Sequence, residues 1–185
     1  KETVSAYEAF APASSKLFAD LKKSLTLRDE INGKLSDLEG TADDSASLIL
    51  DFSDVSNVSR RFPKSAEAAT NLETAMNALV STVVDLTRTN QANTSETLSN
   101  EIRNRMTDIM GKVETMKNET KGAVSLVADL EEKANEINDL LTGEAGILAL
   151  KAQRIAASAS AEKQLASVEQ QTTIALNALN DLLSK

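Results

Sequence analysis

The spacing of apolar residues predicts that this chain is built from long helices. Between residues 102 and 141 the apolar positions advance by alternating steps of four and three, which places one apolar seam along one side of a helix. A helix with a seam of this kind requires partner helices alongside it. The seam consists of Ile102, Met106, Ile109, Val113, Met116, Thr120, Ala123, Val127, Leu130, Ala134, Ile137 and Leu141.

Three interruptions of the apolar pattern predict the turns. Gly40 stands where a helix would stop and Thr41 is suited to cap the next one, residues 90–95 are polar, and Gly143 and Gly146 follow the long seam. Because the resulting helices have similar lengths and short connections, the predicted fold is all-α, an antiparallel up-down-up-down four-helix bundle that forms one elongated domain over residues 1–185. The predicted helices are 2–39, 42–90 with a kink near Pro63, 95–142 and 146–185.

The first helix has an alternative end, because its apolar seam continues in phase through Gly40 to Phe52. In that alternative, one helix runs from about residue 13 to residue 58 and the chain turns at Arg60–Pro63. We expect the turn at Gly40, because the alternative leaves a short second helix and helices of unequal reach. A proline removes a backbone hydrogen bond in either case, so a kink or break is expected at Pro63.

The composition excludes several classes of chemistry. Hydrophobic residues make up 41% of the chain but aromatic residues only 3%, so any core must be aliphatic. The chain has no Cys and no His, which removes disulfides, thiol nucleophiles, His-ligated metals and the usual general base near neutral pH. We therefore expect no catalytic residues, no metal site and no cofactor, and we do not expect an enzyme.

Charge and hydropathy limit the partners. The net charge of −8 repels phosphate backbones, so no nucleic-acid partner is expected. The sequence has no apolar run of about eighteen residues that could span a membrane. Both ends have helical character up to the last residue, without an N-cap before Val4 or a C-cap glycine after Leu183. We interpret the chain as a fragment whose terminal helices continue into flanking sequence, such as transmembrane helices.

One seam position of the first helix carries a charge. Arg28 lies in steps of seven with Leu21 and Leu35, and an unpaired buried guanidinium is costly. The side chain must therefore extend to solvent, pair with a carboxylate near Asp29 or on another helix, or contact an anionic ligand. Counting equal numbers of residues on either side of each of the three predicted turns gives the positions that face residue 28 on the other helices. These positions form one layer with it, ~18 Å from the loop end at ~1.5 Å per residue. The predicted ligand-binding residues of this layer are Arg28, Phe52, Glu132 and Arg154.

Two converging arginines suit a carboxylate ligand, because the planar guanidinium can hold it through two parallel hydrogen bonds. A salt bridge from Glu132 to Arg28 or Arg154 would explain the same layer without any ligand. Both interpretations are open at the level of sequence.

The helix pattern resembles the extracytoplasmic four-helix-bundle sensor domains of bacterial methyl-accepting chemotaxis receptors and the related helical sensor domains of histidine kinases. The resemblance rests on four long antiparallel helices with adjacent ends, Ala-, Ser- and Thr-rich seams, acidic charge and the absence of cysteine. The stretch Leu25–Ile31, followed by Leu35, Leu38 and the Ala-Asp-Asp of residues 42–44, has the character of such sensors.

This resemblance implies a periplasmic module that forms a homodimer and binds a small solute or a periplasmic solute-binding protein. It implies that helix displacement passes to a signalling region through flanking transmembrane helices outside this chain. In such sensors, arginines often hold the ligand in the half far from the membrane, the half in which Arg28 and Arg154 are predicted to lie. The alternative is a structural or interaction bundle, such as a coiled-coil spacer or a secretion or phage component, without a small-molecule ligand.

Overall fold

The structure, a computed structural model, describes residues 2–184 and, within them, the side chains of residues 8–181, 183 and 184. The described residues are helical apart from short connections and contain no strand, so the prediction of an all-α fold is confirmed. None of the described helices is both long enough and apolar enough to cross a lipid bilayer. The helices are α1 (Glu2–Asp54), α2 (Val58–Arg61), α3 (Pro63–Arg88), α4 (Ala92–Thr120), α5 (Leu126–Thr142) and α6 (Ile147–Leu183).

The predicted turn at Gly40 is wrong, because α1 continues through it to Asp54. The seam stays buried on both sides of the glycine, at Leu38 before it and at Ile49 and Phe52 after it. A glycine inside a helix costs only about 1 kcal/mol relative to alanine, whereas burial of one large aliphatic side chain contributes about 1.5–3 kcal/mol. Continuation of the helix is therefore favoured over a turn at this position.

The first break between long helices lies at residues 55–62, close to the alternative turn at Arg60–Pro63. Asn57 adopts the left-handed conformation, with φ of 59°, and α2 occupies a single turn before Phe62. Pro63 is the first residue of α3 rather than a kink inside a helix 42–90, so that prediction is wrong as well. The first helical position needs no backbone N–H and suits the fixed φ of proline.

The predicted helix 95–142 is interrupted, because α4 ends at Thr120 and α5 begins at Leu126. Lys121 and Gly122 have φ of 47° and 79°, a left-handed pair that ends α4. The predicted seam residue Ala123 is exposed, while Val124 is buried in its place. The spacing from Thr120 to Val124 is still four residues, so the apolar pattern passes through the turn without a visible change.

The last predicted helix, 146–185, is found as Ile147–Leu183, with Lys185 outside the described residues. Gly146 is required in the turn before it. A Cβ atom there would lie 2.6 Å from the backbone oxygen of Leu141 and 2.8 Å from the backbone of Gly143.

The chain divides into two compact units. The central unit comprises residues 30–151, and the terminal unit comprises residues 1–29 and 152–185. In the central unit, α3 and α4 are joined by residues 89–91, and Glu119 near the end of α4 contacts Ser65 near the start of α3, so the two helices are antiparallel. The largest fully buried side chains of this unit are Ile31, Leu38, Phe52, Leu72, Leu79, Leu86, Ile102, Ile109, Met116, Leu130, Ile137 and Lys151.

In the terminal unit, segments of α1 and α6 are paired. Ser24 Oγ and Ser158 Oγ share a hydrogen bond of 3.0 Å, and Ser160 Oγ donates to Asp20 Oδ2 at 2.6 Å. Because the residue number rises along α6 as it falls along α1, the two segments are antiparallel. Among the described residues of this unit, four hydrophobic side chains are buried and three of them are alanines. The four are Ala13, Leu27, Ala157 and Ala161.

Candidate functional site

Arg28 is on the surface of the terminal unit rather than in its seam. Its Nη2 and Nε atoms donate to Asp29 Oδ1 at 2.8 and 3.0 Å, and 47% of its side chain is exposed. The neighbouring Leu27 takes the buried position. The guanidinium therefore pairs with an adjacent carboxylate, which is one of the alternatives expected from the sequence.

Arg154 is half-buried on α6 in the same unit. Arg154 lies four residues before Ser158 on α6, and Arg28 lies four residues after Ser24 on α1. Because Ser24 is paired with Ser158 and the two segments are antiparallel, the two arginines lie at the same level. The Nε atom of Arg154 is buried and makes no hydrogen bond to any described residue.

Phe52 and Glu132 belong to the central unit. The ring of Phe52 is fully buried and forms part of the hydrophobic core, whereas Glu132 is exposed on α5. The predicted four-residue layer depended on a turn at Gly40 and on an unbroken helix 95–142. Because α1 passes through Gly40 and α4 ends at Thr120, the helix bounds from which the four residues were placed in one layer do not apply. Binding of a ligand by the four residues stays a prediction.

A groove between α1 and α5 has a volume of about 390 Å³ and carries both signs of charge. Beside it, Lys133 Nζ donates to Glu136 Oε2 at 3.0 Å and lies 3.4 Å from Asp44 Oδ2. The hydrogen bond to Glu136 raises the pKa of Lys133 above its ordinary value, against the opposing effect of burial. The carboxylate of Glu136 is therefore already neutralised within the protein. The groove is lined by Lys34, Thr41, Glu136, Asp139 and Leu140.

A smaller crevice of about 210 Å³ lies at the α4–α5 turn. Lys117 and Glu131 line it and form an ion pair of 2.6 Å. The hydrogen bond to Glu131, together with its negative charge, raises the pKa of Lys117. The charges of this crevice are therefore matched to each other.

A third groove, of about 380 Å³, lies between α4 and α5 at the other end of α5. We call it the Arg103 groove. Its apolar lining comes from Met106, which is 3% exposed, and from the half-buried Met110. Arg103 Nη1 donates to the neutral Asn100 Oδ1 at 3.3 Å. The groove is lined by Arg103, Met106, Thr107, Met110, Asn138 and Thr142.

The hydroxyl groups of the Arg103 groove are held by backbone carbonyls. Thr107 Oγ1 donates to Arg103 O at 2.9 Å, and Thr142 Oγ1 donates to Asn138 O at 2.9 Å. These side chains offer hydrogen-bonding surface and no negative charge. Within the described residues, no group of three or more acidic side chains is placed to hold a metal ion. The groove therefore combines one cationic side chain with an apolar surface and neutral polar groups.

Two polar contacts that the sequence analysis missed hold the central unit together. Glu119 on α4 accepts hydrogen bonds from Ser65 Oγ, Ser65 N and Lys64 N at the start of α3, at 2.7, 2.6 and 3.3 Å. At the other end of α3, the fully buried Lys151 donates from Nζ to Thr87 O at 3.0 Å. A lysine directly after the apolar run of residues 147–150 was the available signal for the second contact.

Large hydrophobic residues are exposed on the terminal unit, on both of its helices. On α1, Phe18, Leu21 and Leu25 follow steps of three and four, and Phe18 is 71% exposed. We call these three the α1 row. On α6, the α6 row consists of Leu165, Leu176 and Leu179, which share one helix face. Both rows present apolar surface to solvent that burial would stabilise.

Comparison of the chain with protein-family models, with curated proteins and with solved structures found no match.

Proposed function

We propose that this chain is the ligand-sensing, periplasmic domain of a transmembrane chemoreceptor or sensor kinase. It binds a small solute or a solute-binding protein, and it transmits binding as a displacement between helices. The observation that carries the proposal is the composition of the α1–α6 pair, in which three of the four buried hydrophobic residues are alanines and serines make the hydrogen bonds, while most of the large hydrophobic residues are exposed.

A contact built mainly from small residues allows one helix to shift along its neighbour with little steric cost. Interlocked leucines would resist the same shift, because packed side chains must change rotamers together. Helix shifts of 1–2 Å are a common form of signal in proteins with two packing states. The Ser24–Ser158 and Asp20–Ser160 hydrogen bonds can exchange partners with the serines and threonines nearby as such a shift occurs.

We further infer that the central unit is an antiparallel four-helix bundle. Its four helices are residues 30–54 of α1, and α3, α4 and α5. Supporting contacts are the Ser65–Glu119 hydrogen bond between α3 and α4, the Lys117–Glu131 ion pair between α4 and α5, and the Asp44–Lys133 ion pair between α1 and α5. A bundle of this kind binds ligands between its helices, and a ligand that prefers one packing shifts the equilibrium toward it.

The working form in this proposal is a homodimer in which a second copy covers the α1 row and the α6 row. Lys22 and Lys23 lie beside the α1 row, whereas Glu162 and Glu169 lie on or beside the α6 row. These charges favour α1 of one copy against α6 of its partner. A two-fold dimer forms this pairing twice, which is the self-complementarity that such an interface requires.

A thermal-shift screen tests the sensing function. Organic acids, amino acids and amines are added one at a time to the full chain, and a solute sensor is expected to show a raised Tm with at least one of them. A parallel pull-down with purified periplasmic solute-binding proteins covers the second kind of ligand. Failure of every small compound and of every binding protein would overturn the proposal.

The second candidate function is a structural or interaction bundle without a small-molecule ligand. The exposed α1 and α6 rows favour it equally, since a spacer or an assembly component also needs a surface for its neighbours. Under this alternative, the protein dimerises or assembles through the rows and the screen gives no hit. Neither candidate involves catalysis, a cofactor, a metal or nucleic acid, and neither requires a membrane contact beyond flanking transmembrane helices outside this chain.

A further inference from the structure

We propose that the Arg103 groove binds a small aliphatic monocarboxylate, with Arg103 as the residue that holds its carboxylate group. This inference rests on the proposed sensing function, and it names the site and the chemical class of the solute. The site differs from the layer of Arg28, Phe52, Glu132 and Arg154 that the sequence predicts.

The charge balance of the groove points to an anionic ligand. Of the three grooves described in the central unit, the α1–α5 groove contains Glu136 and Asp139 beside Lys34, and the α4–α5 crevice contains the Lys117–Glu131 pair. The lining of the Arg103 groove contains one cation and no carboxylate. Of the three linings, only this one has a net positive charge.

The neighbouring acids of α4 are already engaged. Glu101 accepts two hydrogen bonds from Arg105, the shorter at 2.6 Å, and Asp108 pairs with Lys112. Arg103, between them, donates only to the uncharged amide oxygen of Asn100 among the described residues. Its planar guanidinium keeps further N–H groups for a carboxylate, which it can bind through two parallel hydrogen bonds.

The rest of the lining selects for the body of the ligand. Met106 and Met110 provide a flexible apolar surface that adapts to an aliphatic chain. Asn138 and Thr142 add neutral polar groups on α5. Because the lining has no carboxylate, an ammonium group would enter without a partner, and a second carboxylate would meet no second cation. The groove therefore favours monocarboxylates over amino acids and dicarboxylates. Its volume of about 380 Å³ lies within the usual range of small-molecule sites.

The test uses hexanoate, with hexanamide as the uncharged analogue of the same length. Binding to the full chain is measured by isothermal titration and by the change in Tm. Hexanoate is expected to bind and raise Tm, and hexanamide to have no effect. Arg103→Gln is expected to weaken hexanoate binding by about tenfold or more, because hydrogen bonds to a charged group are among the strongest that a side chain makes.

Arg105→Gln is the matched control, because Arg105 lies on the same helix two residues away and does not line the groove. It should leave the affinity for hexanoate unchanged. Met110→Trp is the second test variant, since it fills the groove with a larger apolar side chain while leaving Arg103 in place. It should abolish binding, and circular dichroism checks that each variant is as helical as the parent protein.

The outcomes separate this inference from the proposed function. Equal hexanoate affinity in Arg103→Gln and the parent protein, or absence of hexanoate binding by the parent protein, overturns the groove as a monocarboxylate site. If the broader screen then finds another solute whose binding is unaffected by Arg103→Gln, the sensing function stands and only this site fails. If the screen and the pull-down with solute-binding proteins also find nothing, both fail together.

Discussion

Glu119, the penultimate residue of α4, supplies the N-terminal cap that α3 lacks in its own sequence, by accepting hydrogen bonds from the amide and the hydroxyl of Ser65. The first N–H groups of a helix have no partner inside the helix. The residue before α3 is Phe62, whose side chain cannot accept them. A carboxylate from a neighbouring helix also interacts favourably with the positive end of the helix dipole. The contact therefore fixes the start of α3 against the end of α4.

This cap predicts a loss of stability in acid. Burial tends to raise the pKa of Glu119, but hydrogen bonds from Ser65 and Lys64, with the charge of Lys64, outweigh it and lower the pKa. The pKa of Glu119 is therefore lower in the folded protein than in the unfolded chain. Its contribution to the free energy of unfolding is complete above the ordinary pKa of about 4.3 and is lost as pH falls through the folded pKa. Urea unfolding of Glu119→Gln should therefore show a lower midpoint than the parent protein at pH 7, and the difference should shrink below pH ~4.

Glu132→Gln is the control for this prediction, because Glu132 is an exposed carboxylate on α5. Its unfolding midpoint should follow that of the parent protein at each pH. A gap between Glu119→Gln and the parent that stays constant down to pH ~3 would contradict the cap as the source of the effect.

Two glycines should respond to alanine in opposite directions. Gly146→Ala brings Cβ to 2.6 Å from the backbone oxygen of Leu141, which no side-chain movement relieves, so a loss of about 1–3 kcal/mol is expected. Gly40→Ala meets open space inside α1 and should stabilise the protein by about 1 kcal/mol. Denaturant unfolding of both variants measures the difference. Destabilisation by Gly40→Ala would indicate that the chain turns at Gly40 after all.

The buried Lys151 should matter more to stability than an exposed lysine of the same helix. Replacement of Lys151 by Met keeps the aliphatic stem but removes the hydrogen bond to Thr87 O, so a loss of ~1–3 kcal/mol is expected. Lys163→Met on the exposed face of α6 should change the free energy of unfolding by less than about 0.5 kcal/mol. Similar values for the two variants would show that the buried contact adds nothing to stability.

The α1 row should control self-association. Phe18→Ser and Leu25→Ser each remove exposed apolar surface and should raise the dimer Kd by about tenfold, as measured by sedimentation equilibrium. Leu50→Ser is the matched control, because Leu50 is exposed to a similar degree but lies on the central unit. A parent protein that sediments as a monomer at every concentration, or a Leu50→Ser variant that dissociates equally, would exclude the proposed interface.

The helical content was predictable from the sequence, but the positions of two turns were not. At Gly40 the local signal for a turn was real, yet it competed with the burial of residues far along the chain, such as Phe52. At Lys121 and Gly122 the turn preserves the step of four between Thr120 and Val124, so apolar periodicity alone could not reveal it. Such a turn can be identified only from the backbone conformation, here the positive φ angles of Lys121 and Gly122.

The candidate site was less predictable than the fold, because facing residues on different helices depend on where every turn lies. Moving the first break from Gly40 to residues 55–62 changes the expected partners of the residues of α1 on both sides of Gly40. Arg28 and Arg154 still fall at one level, since their pairing depends only on the α1–α6 register. The Arg103 groove requires α5 to fold back on α4, which an unbroken helix 95–142 would forbid.

The Ser24–Ser158 and Asp20–Ser160 contacts also bear on the order in which the chain folds. They join residues 134 and 140 positions apart, so their formation closes very long loops, whereas α3 and α4 meet across residues 89–91. Loop-closure entropy delays contacts between distant residues, so the α3–α4 hairpin should form first and the α1–α6 pair last. The segments that form last and bury mostly small residues should also open most readily, and their amides should exchange with solvent before those of the central core.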